Sequence, residues 1–388
     1  MAIINRMAEL HDEITAWRRA YHANPELMYD VYDTAGDVAE KLKAFGCDEV
    51  VTGIGKTGVV GVIRGNKPGN RAIGLRADMD ALPITEETGL PYASRNNGKM
   101  HACGHDGHTA MLLGAARYLA ETRNFAGTAI MIFQPAEEGG AGGEAMVEDG
   151  LMERFGIEEV YGLHNLPGLE VGKFAICEGP IMASTDEFTI IIKGRGSHAA
   201  MPHQGIDPIV TGAQLVTALQ TIPSRNVHPL EGLVVSVTQF HAGNTYNVIP
   251  ETAMINGTIR ALGDETRKLA EQRLRSMIEM VTQMAGATYE LDFRIGYPVT
   301  VNDGGATQKA IEAARLVAGD AGVNPQVRAT LGGEDFAYML NARPGAYIFM
   351  GNGDTAGLHH PAYDFNDEAI PHGASYWAKL VESLMPAS

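Results

Sequence analysis

The chain has 388 residues, 45% hydrophobic and 20% charged, with a formal net charge of -17 at pH 7. That length exceeds one ordinary hydrophobic core and predicts two domains. The acidic balance argues against nucleic acid or an anionic membrane held through a basic surface, and no apolar run reaches the ~20 residues of a membrane-spanning helix. The N-terminus, Met1-Ala2-Ile3-Ile4-Asn5-Arg6-Met7, lacks the long apolar core of a secretory signal. Cys47, Cys103 and Cys177 cannot all pair within one chain and form no CxxC motif. A reducing, cytoplasmic compartment is therefore expected.

Residues 5–22 read as an amphipathic helix, with Met7, Leu10, Ile14 and Trp17 at three- and four-residue spacing. Asn24-Pro25 stops it. A second helix is expected from about Thr34 to Phe45, ending at Gly46. Short β-rich runs follow at Val59–Ile63, Ala72–Arg76, Ala129–Phe133 and Val160–Leu163, with a helix over Thr109–Glu121 between them. Strands alternating with helices predict an α/β sheet covered on both faces, with its active site on loops beyond the carboxyl ends of the strands.

After Cys177-Glu178-Gly179-Pro180 the pattern changes to strand (Glu187–Lys193), helix (Asp207–Thr221), two strands (Leu233–Phe240, Thr252–Arg260), helix (Thr266–Met284) and strand (Thr288–Arg294). That βαββαβ order is a ferredoxin-like module. Beyond Tyr297-Pro298 the first pattern returns, with a helix near 306–319, a strand at Ala346–Met350 and a final helix near 367–385. The economical reading is an α/β domain, 1–182 and 295–388, interrupted by an inserted α+β domain, 183–294.

The densest chemistry lies in Met100-His101-Ala102-Cys103-Gly104-His105-Asp106-Gly107-His108. It places a thiol, three imidazoles and a carboxylate among small residues that let the backbone turn tightly. Further polar clusters follow strand-like runs: Arg76-Ala77-Asp78-Met79-Asp80, Gln134-Pro135-Ala136-Glu137-Glu138, Gly162-Leu163-His164-Asn165 and Gly357-Leu358-His359-His360-Pro361. Taken singly, each has an ordinary structural reading; a cysteine in a glycine-rich turn is often a small buried hydrophobe. Taken together, Cys103, His105, Glu138, His164 and His360 are too many ligands for one tetrahedral zinc but suit two metals sharing one ligand. Cys103 is the candidate bridge, since a thiolate has lone pairs enough and two divalent ions would hold its pKa far below ~8.5. Of the adjacent pair Glu137-Glu138, one carboxylate can bind metal while its neighbour takes a proton from the attacking water. His101, Asp106 and His108 are expected to support the ligands from behind.

These segments, with "WRRAYHANPEL" (17–27), "GLRADMDALPITEETGLPYAS" (74–94), "MHACGHDGHTAMLLGAA" (100–116), "FQPAEEGGAGG" (133–143), "GRGSHAAMPHQGIDPI" (194–209), "NVIPETAMINGTIR" (247–260), "GGEDFAYM" (332–339) and "LHHPAYDFND" (358–367), resemble the zinc-dependent aminoacylase and carboxypeptidase superfamily. Within it the chain resembles the hippurate hydrolase and auxin–amino-acid conjugate hydrolase group. The resemblance implies a zinc-exopeptidase-like α/β catalytic domain with a lid and dimerisation insert. It implies Cys103 as bridge, His105 and His164 on one metal, Glu138 and His360 on the other, and Glu137 as general base. Asp80 matches the aspartate of the superfamily's His-x-Asp motif, whose first position is Asp78 here. His198 matches a histidine that reaches a neighbouring subunit's active site and donates to the oxyanion. Asn247 and Arg260 match lid positions suited to the substrate carboxylate, although Arg260, at a strand end, is equally suited to an acidic neighbour.

The expected protein is thus a metal-dependent amidohydrolase of N-acyl amino acids, a homodimer or homotetramer holding two divalent ions per subunit. Zinc is the expected metal, with manganese, cobalt or nickel as alternatives. A dipeptidase or carboxypeptidase using the same site is a second reading. A non-catalytic metal- or peptide-binding protein is a third, disfavoured because a mere scaffold has no need of Glu137.

Overall fold

A computed structural model describes residues 3–387. The chain divides into two compact units. The larger holds the chain through Gly179, Val301–Arg328 and the chain from Asp335 on; the smaller holds Pro180–Thr300 and Ala329–Glu334. The expected boundaries assigned 329–334 to the larger unit. Its backbone pairs in the smaller one instead: the Thr330 amide donates to the Ile181 carbonyl and the Ala183 amide to the Gly332 carbonyl, both at 2.9 Å. So short a run, with Gly332-Gly333 in it, has no periodicity that reveals its partner.

The larger unit is built on an eight-stranded sheet in the order Glu49–Ile54, Gly58–Arg64, Ala126–Gln134, Lys67–Asp78, Glu159–Pro167, Gly345–Gly353, Phe174–Ala175, Val323–Asn324. Its four central strands, from Ala126–Gln134 to Gly345–Gly353, run parallel. Runs such as Ala129-Ile130-Met131-Ile132-Phe133 are apolar at every position rather than at alternate ones, and all are buried. That is the pattern of a sheet covered on both faces. Every strand expected in this unit forms. The hairpin strand Glu49–Ile54 and the short helices Gly142–Glu148 and Phe336–Ala342 were not anticipated. The helix His105–Thr122 has most of its residues buried and begins at the carboxyl ends of the parallel strands.

At the N-terminus the expected helix is interrupted at Leu10 into Asn5–Glu9 and His11–Ala23. Met7, Leu10 and Ile14 are buried, but Trp17 is only half-buried while Arg18 is fully buried. Arg18 pairs with Asp367 at 2.7 Å, Asp364 at 3.3 Å and Asp106 at 3.5 Å, and lies over the Tyr92 ring. An amphipathic pattern places a cation outside unless its counter-charges are known, and two of these lie at the opposite end of the chain.

The smaller unit forms the strands and helices expected of it. Its four-stranded antiparallel sheet runs Leu233–Ala242, Thr252–Ala261, Ser184–Lys193, Thr288–Ile295. The helices Pro208–Leu219 and Asp264–Ala285 cover one face through a core that includes Phe188, Ile190, Leu215, Ile255, Leu274 and Ile278. Strand burial alternates along Thr252–Ala261, as a sheet with one covered face requires. No helix among the described residues is long and apolar enough to cross a membrane.

Candidate metal centre

The parallel strands end side by side, which brings the polar clusters to one edge. Asp78 lies in register with Gln134, and His164 with Phe349. The Cys103 turn reaches this edge because Met100 exchanges backbone hydrogen bonds with Leu82 and because Gly104, at φ +86°, opens the helix that follows. A non-glycine residue in that region is strained by its Cβ.

Two groups of donors assemble around one sulfur. Cys103, His105 and His164 form the first, and Cys103, Glu138 and His359 the second; within each, ligand atoms lie within 4.8 Å of one another. The Cys103 Sγ is 3.3 Å from His164 Nε2, and His359 Nε2 is 3.3 Å from Glu138 Oε1. His360 joins neither group: its Nδ1 accepts from the Ala362 amide at 3.0 Å. The expected histidine is therefore displaced by one residue. The His359 amide donates to the Ala102 carbonyl at 2.8 Å, and the left-handed backbone at His359, φ +63°, turns its ring toward Glu138. Two adjacent histidines in a loop have no period to separate them, so only the backbone conformation decides.

The two candidate ligand histidines of the first group are each oriented through the other nitrogen. His105 Nδ1 donates to the Asp80 carbonyl at 2.8 Å, and His164 Nδ1 to the Asn165 carbonyl at 2.7 Å. Nε2 is left facing the site in both. His108 differs. The Asn165 amide donates to its Nε2 at 3.0 Å, so Nδ1 holds the proton given to Asp78 at 2.7 Å. Both nitrogens of His108 are thus engaged by protein groups. Asp78 is similarly occupied, by His108 and by the buried Arg76 at 2.6 Å.

The glutamate pair is fixed through its backbone. The Asp80 carboxylate accepts the Glu137 amide at 2.9 Å and the Glu138 amide at 3.1 Å. The Asp335 carboxylate holds the same loop, accepting from Gln134 Nε2 at 2.7 Å and the Gly143 amide at 2.8 Å. Asp106 points away from the ligands, to His22 at 2.8 Å, so its support is through the helix start. His101 is fully buried and belongs to no such donor group among the described residues.

The electrostatics favour a cation. Burial, reinforced by Glu138, Glu137 and Asp78, pushes the Cys103 thiol well above its usual range. Burial opposes charge on His105, but Asp78, Asp80 and Glu138 outweigh it and push the imidazole up to about 10. Burial, aided by His22 and His105 against the pull of Asp106 and Asp78, pushes His101 down to about 4. His105 Nε2 and Glu138 Oε1 are buried without a hydrogen-bond partner. Thiol, imidazole and carboxylate groups in two clusters sharing a sulfur, with His105 Nε2 and Glu138 Oε1 unpartnered, fit a pair of divalent cations.

The remaining expected residues lie in the smaller unit. His198 sits on the short strand Ser197–His198, opposite Val248. Its Nδ1 accepts the Ala200 amide at 3.1 Å, which leaves the proton of the neutral ring on Nε2. Asn247 is on the same ribbon, its carbonyl accepting the Ala199 amide at 3.0 Å. Arg260 is half-buried on Thr252–Ala261 opposite Val234 and Thr185, its pKa lowered by burial against Glu187 and Asp186.

Residues 74–383 match the model of the peptidase family M20/M25/M40. The chain is 44% identical over 381 residues to the hippurate hydrolase of Campylobacter jejuni, covering 98% of each. It is 47% identical over 296 residues to the N-acyl-L-amino acid amidohydrolase of Geobacillus stearothermophilus, covering 76% of this chain and 79% of that one. The solved structure of Bacillus subtilis YxeP, a dinuclear metal binding peptidase from the M20 family, matches with a TM-score of 0.85 at 35% identity, over 98% of this chain and 100% of that one. This chain belongs to the peptidase family M20/M25/M40.

Proposed function

We propose that the protein is a metal-dependent amidohydrolase that splits an N-acyl amino acid into a carboxylic acid and a free amino acid. The observation behind this reading is the pair of donor groups sharing the buried Cys103, one wholly buried and one reaching the surface at His359, with Glu137 beside Glu138. Cys103, His105 and His164 would hold one divalent ion, and Cys103, Glu138 and His359 the other, with zinc the expected metal and manganese, cobalt or nickel as alternatives. When bound, such ions polarise the amide carbonyl and lower the pKa of the attacking water.

Glu137 accepts the proton of that water and returns it to the departing amine nitrogen. The Asp80 carboxylate, by gripping the Glu137 and Glu138 amides, holds base and ligand at a fixed spacing. His198 Nε2–H donates to the oxyanion of the tetrahedral intermediate, from a neighbouring subunit of a homodimer or homotetramer. Asn247 and Arg260 hold the substrate carboxylate.

The test loads purified protein with zinc, manganese or cobalt and offers benzoyl-glycine, acetyl-amino acids and dipeptides. N-acyl amino acids are expected to turn over. Hydrolysis of dipeptides alone would replace this reading with a dipeptidase or carboxypeptidase. Glu137→Gln is expected to bind metal at unchanged stoichiometry while kcat falls by about 100-fold or more; parental kcat in that variant would overturn the assigned base.

A further inference from the structure

One residue in the larger unit links three of the four segments that supply the donors around the sulfur. Asn165 is fully buried at the end of the strand Glu159–Pro167. Its Nδ2 donates to the Cys103 carbonyl at 2.7 Å, and its Oδ1 accepts the Tyr363 hydroxyl at 2.9 Å. Its own carbonyl accepts His164 Nδ1 at 2.7 Å, and its amide donates to His108 Nε2. Tyr363, also fully buried, continues the segment that contains His359, its amide donating to the His360 carbonyl at 2.9 Å.

The backbone has been shaped around this contact. A Cβ on Gly104, the residue between Cys103 and His105, would lie 2.4 Å from both Asn165 Nδ2 and Tyr363 Oη. The glycine therefore serves a close approach as well as a positive φ. Asn is suited to the position because it presents a donor and an acceptor on one rigid plane. Asp has no donor for the Cys103 carbonyl, and Leu has neither donor nor acceptor.

We propose that Asn165, braced by the Tyr363 hydroxyl, is a positioning residue that sets the Cys103 sulfur against His164 and so governs metal affinity at the shared ligand. This rests on the reading of Cys103 as a metal ligand. The amide acts by fixing the Cys103 carbonyl, and with it the peptide that aims Sγ, while the Asn165 carbonyl fixes the ring that faces Sγ. Loss of the Tyr363 hydroxyl leaves Oδ1 without its donor, so the amide is held only through Nδ2, at the Cys103 carbonyl and at His108 Nε2.

The experiment titrates metal-free protein with cobalt(II) and follows the thiolate-to-cobalt charge-transfer absorption, with affinity measured by calorimetry. Parent, Tyr363→Phe, Asn165→Asp and Leu380→Ala are compared, the last removing buried side-chain volume from the C-terminal helix. The expected result is a cobalt affinity weakened about ten-fold or more in Tyr363→Phe and Asn165→Asp, with a shifted or weakened charge-transfer band. Leu380→Ala is expected to melt at a lower temperature with the parental band and affinity. Two brace variants are used so that a folding failure of one leaves the other to decide. Parental band and affinity in the folded brace variants would overturn the proposal alone, as would a spectral change in Leu380→Ala equal to theirs. A parent that binds cobalt without a thiolate band would overturn the ligand reading and this proposal with it.

Discussion

At the residue scale, the site depends on atoms whose partners settle their roles. His359 and His360 are chemically identical in the sequence, yet one ring lies against Glu138 and the other accepts a neighbouring backbone amide. His359→Ala is expected to reduce bound metal from two ions per subunit to about one and activity by about 100-fold or more. His360→Ala is expected to keep both within a few-fold. Elemental analysis of the two purified variants decides between them, and the opposite pattern would restore His360 as the ligand. The chemistry of Cys103, His105, Glu138 and His164 was legible from residue types after strand ends. The histidine shift was not, because it depends on a left-handed backbone angle that no spacing encodes.

At the element scale, the helix His105–Thr122 and the loop of Glu137 and Glu138 are held by backbone geometry rather than by ligand chemistry. Gly104→Ala places a Cβ in a left-handed residue and 2.4 Å from two buried polar atoms. Urea denaturation of the metal-free variant is expected to show a loss of roughly 2–4 kcal/mol, from backbone strain and overpacking together. A loss below 0.5 kcal/mol would mean that the turn relaxes without cost. The strands were legible as apolar runs and the insert as a change of period. The pairing of Ala329–Glu334 with the smaller unit was not, since a short extended segment acquires its partner only in three dimensions.

Across the larger unit, a buried charge network ties the N-terminal helix to the C-terminal segment. Arg18 meets Asp106, Asp364 and Asp367, while His22 meets Asp106 at 2.8 Å and Glu86 at 3.4 Å. Burial opposes charge on His22, but Asp106 and Glu86 raise it to about 9. Burial likewise opposes charge on Asp106, yet His22, His101 and Arg18 hold it below the carboxylate range. A histidine raised on folding stabilises fully below its unfolded pKa of ~6.5 and loses that contribution as pH rises through about 9. The lowered Asp106 acts oppositely, stabilising above ~3.9 and losing its contribution as pH falls through its depressed value. In metal-free protein, the stability difference between parent and His22→Asn is expected to be largest near pH 5–6. It should shrink toward pH 9, by an amount of order 3 kcal/mol. Denaturation curves across that range test this, and a difference independent of pH would show that His22 remains neutral.

The sequence by itself determined the two architectures, the edge at which polar clusters gather, and the donor types that point to a dinuclear metal site. These follow from periodicity and ligand chemistry, which are properties of short segments. Tertiary structure alone decided which of two histidines faces Glu138, why Arg18 is buried, and that Asn165 joins Cys103 to His164 and Tyr363. Each of those depends on groups far apart in the chain whose hydrogen bonds exist only after the strands have come together.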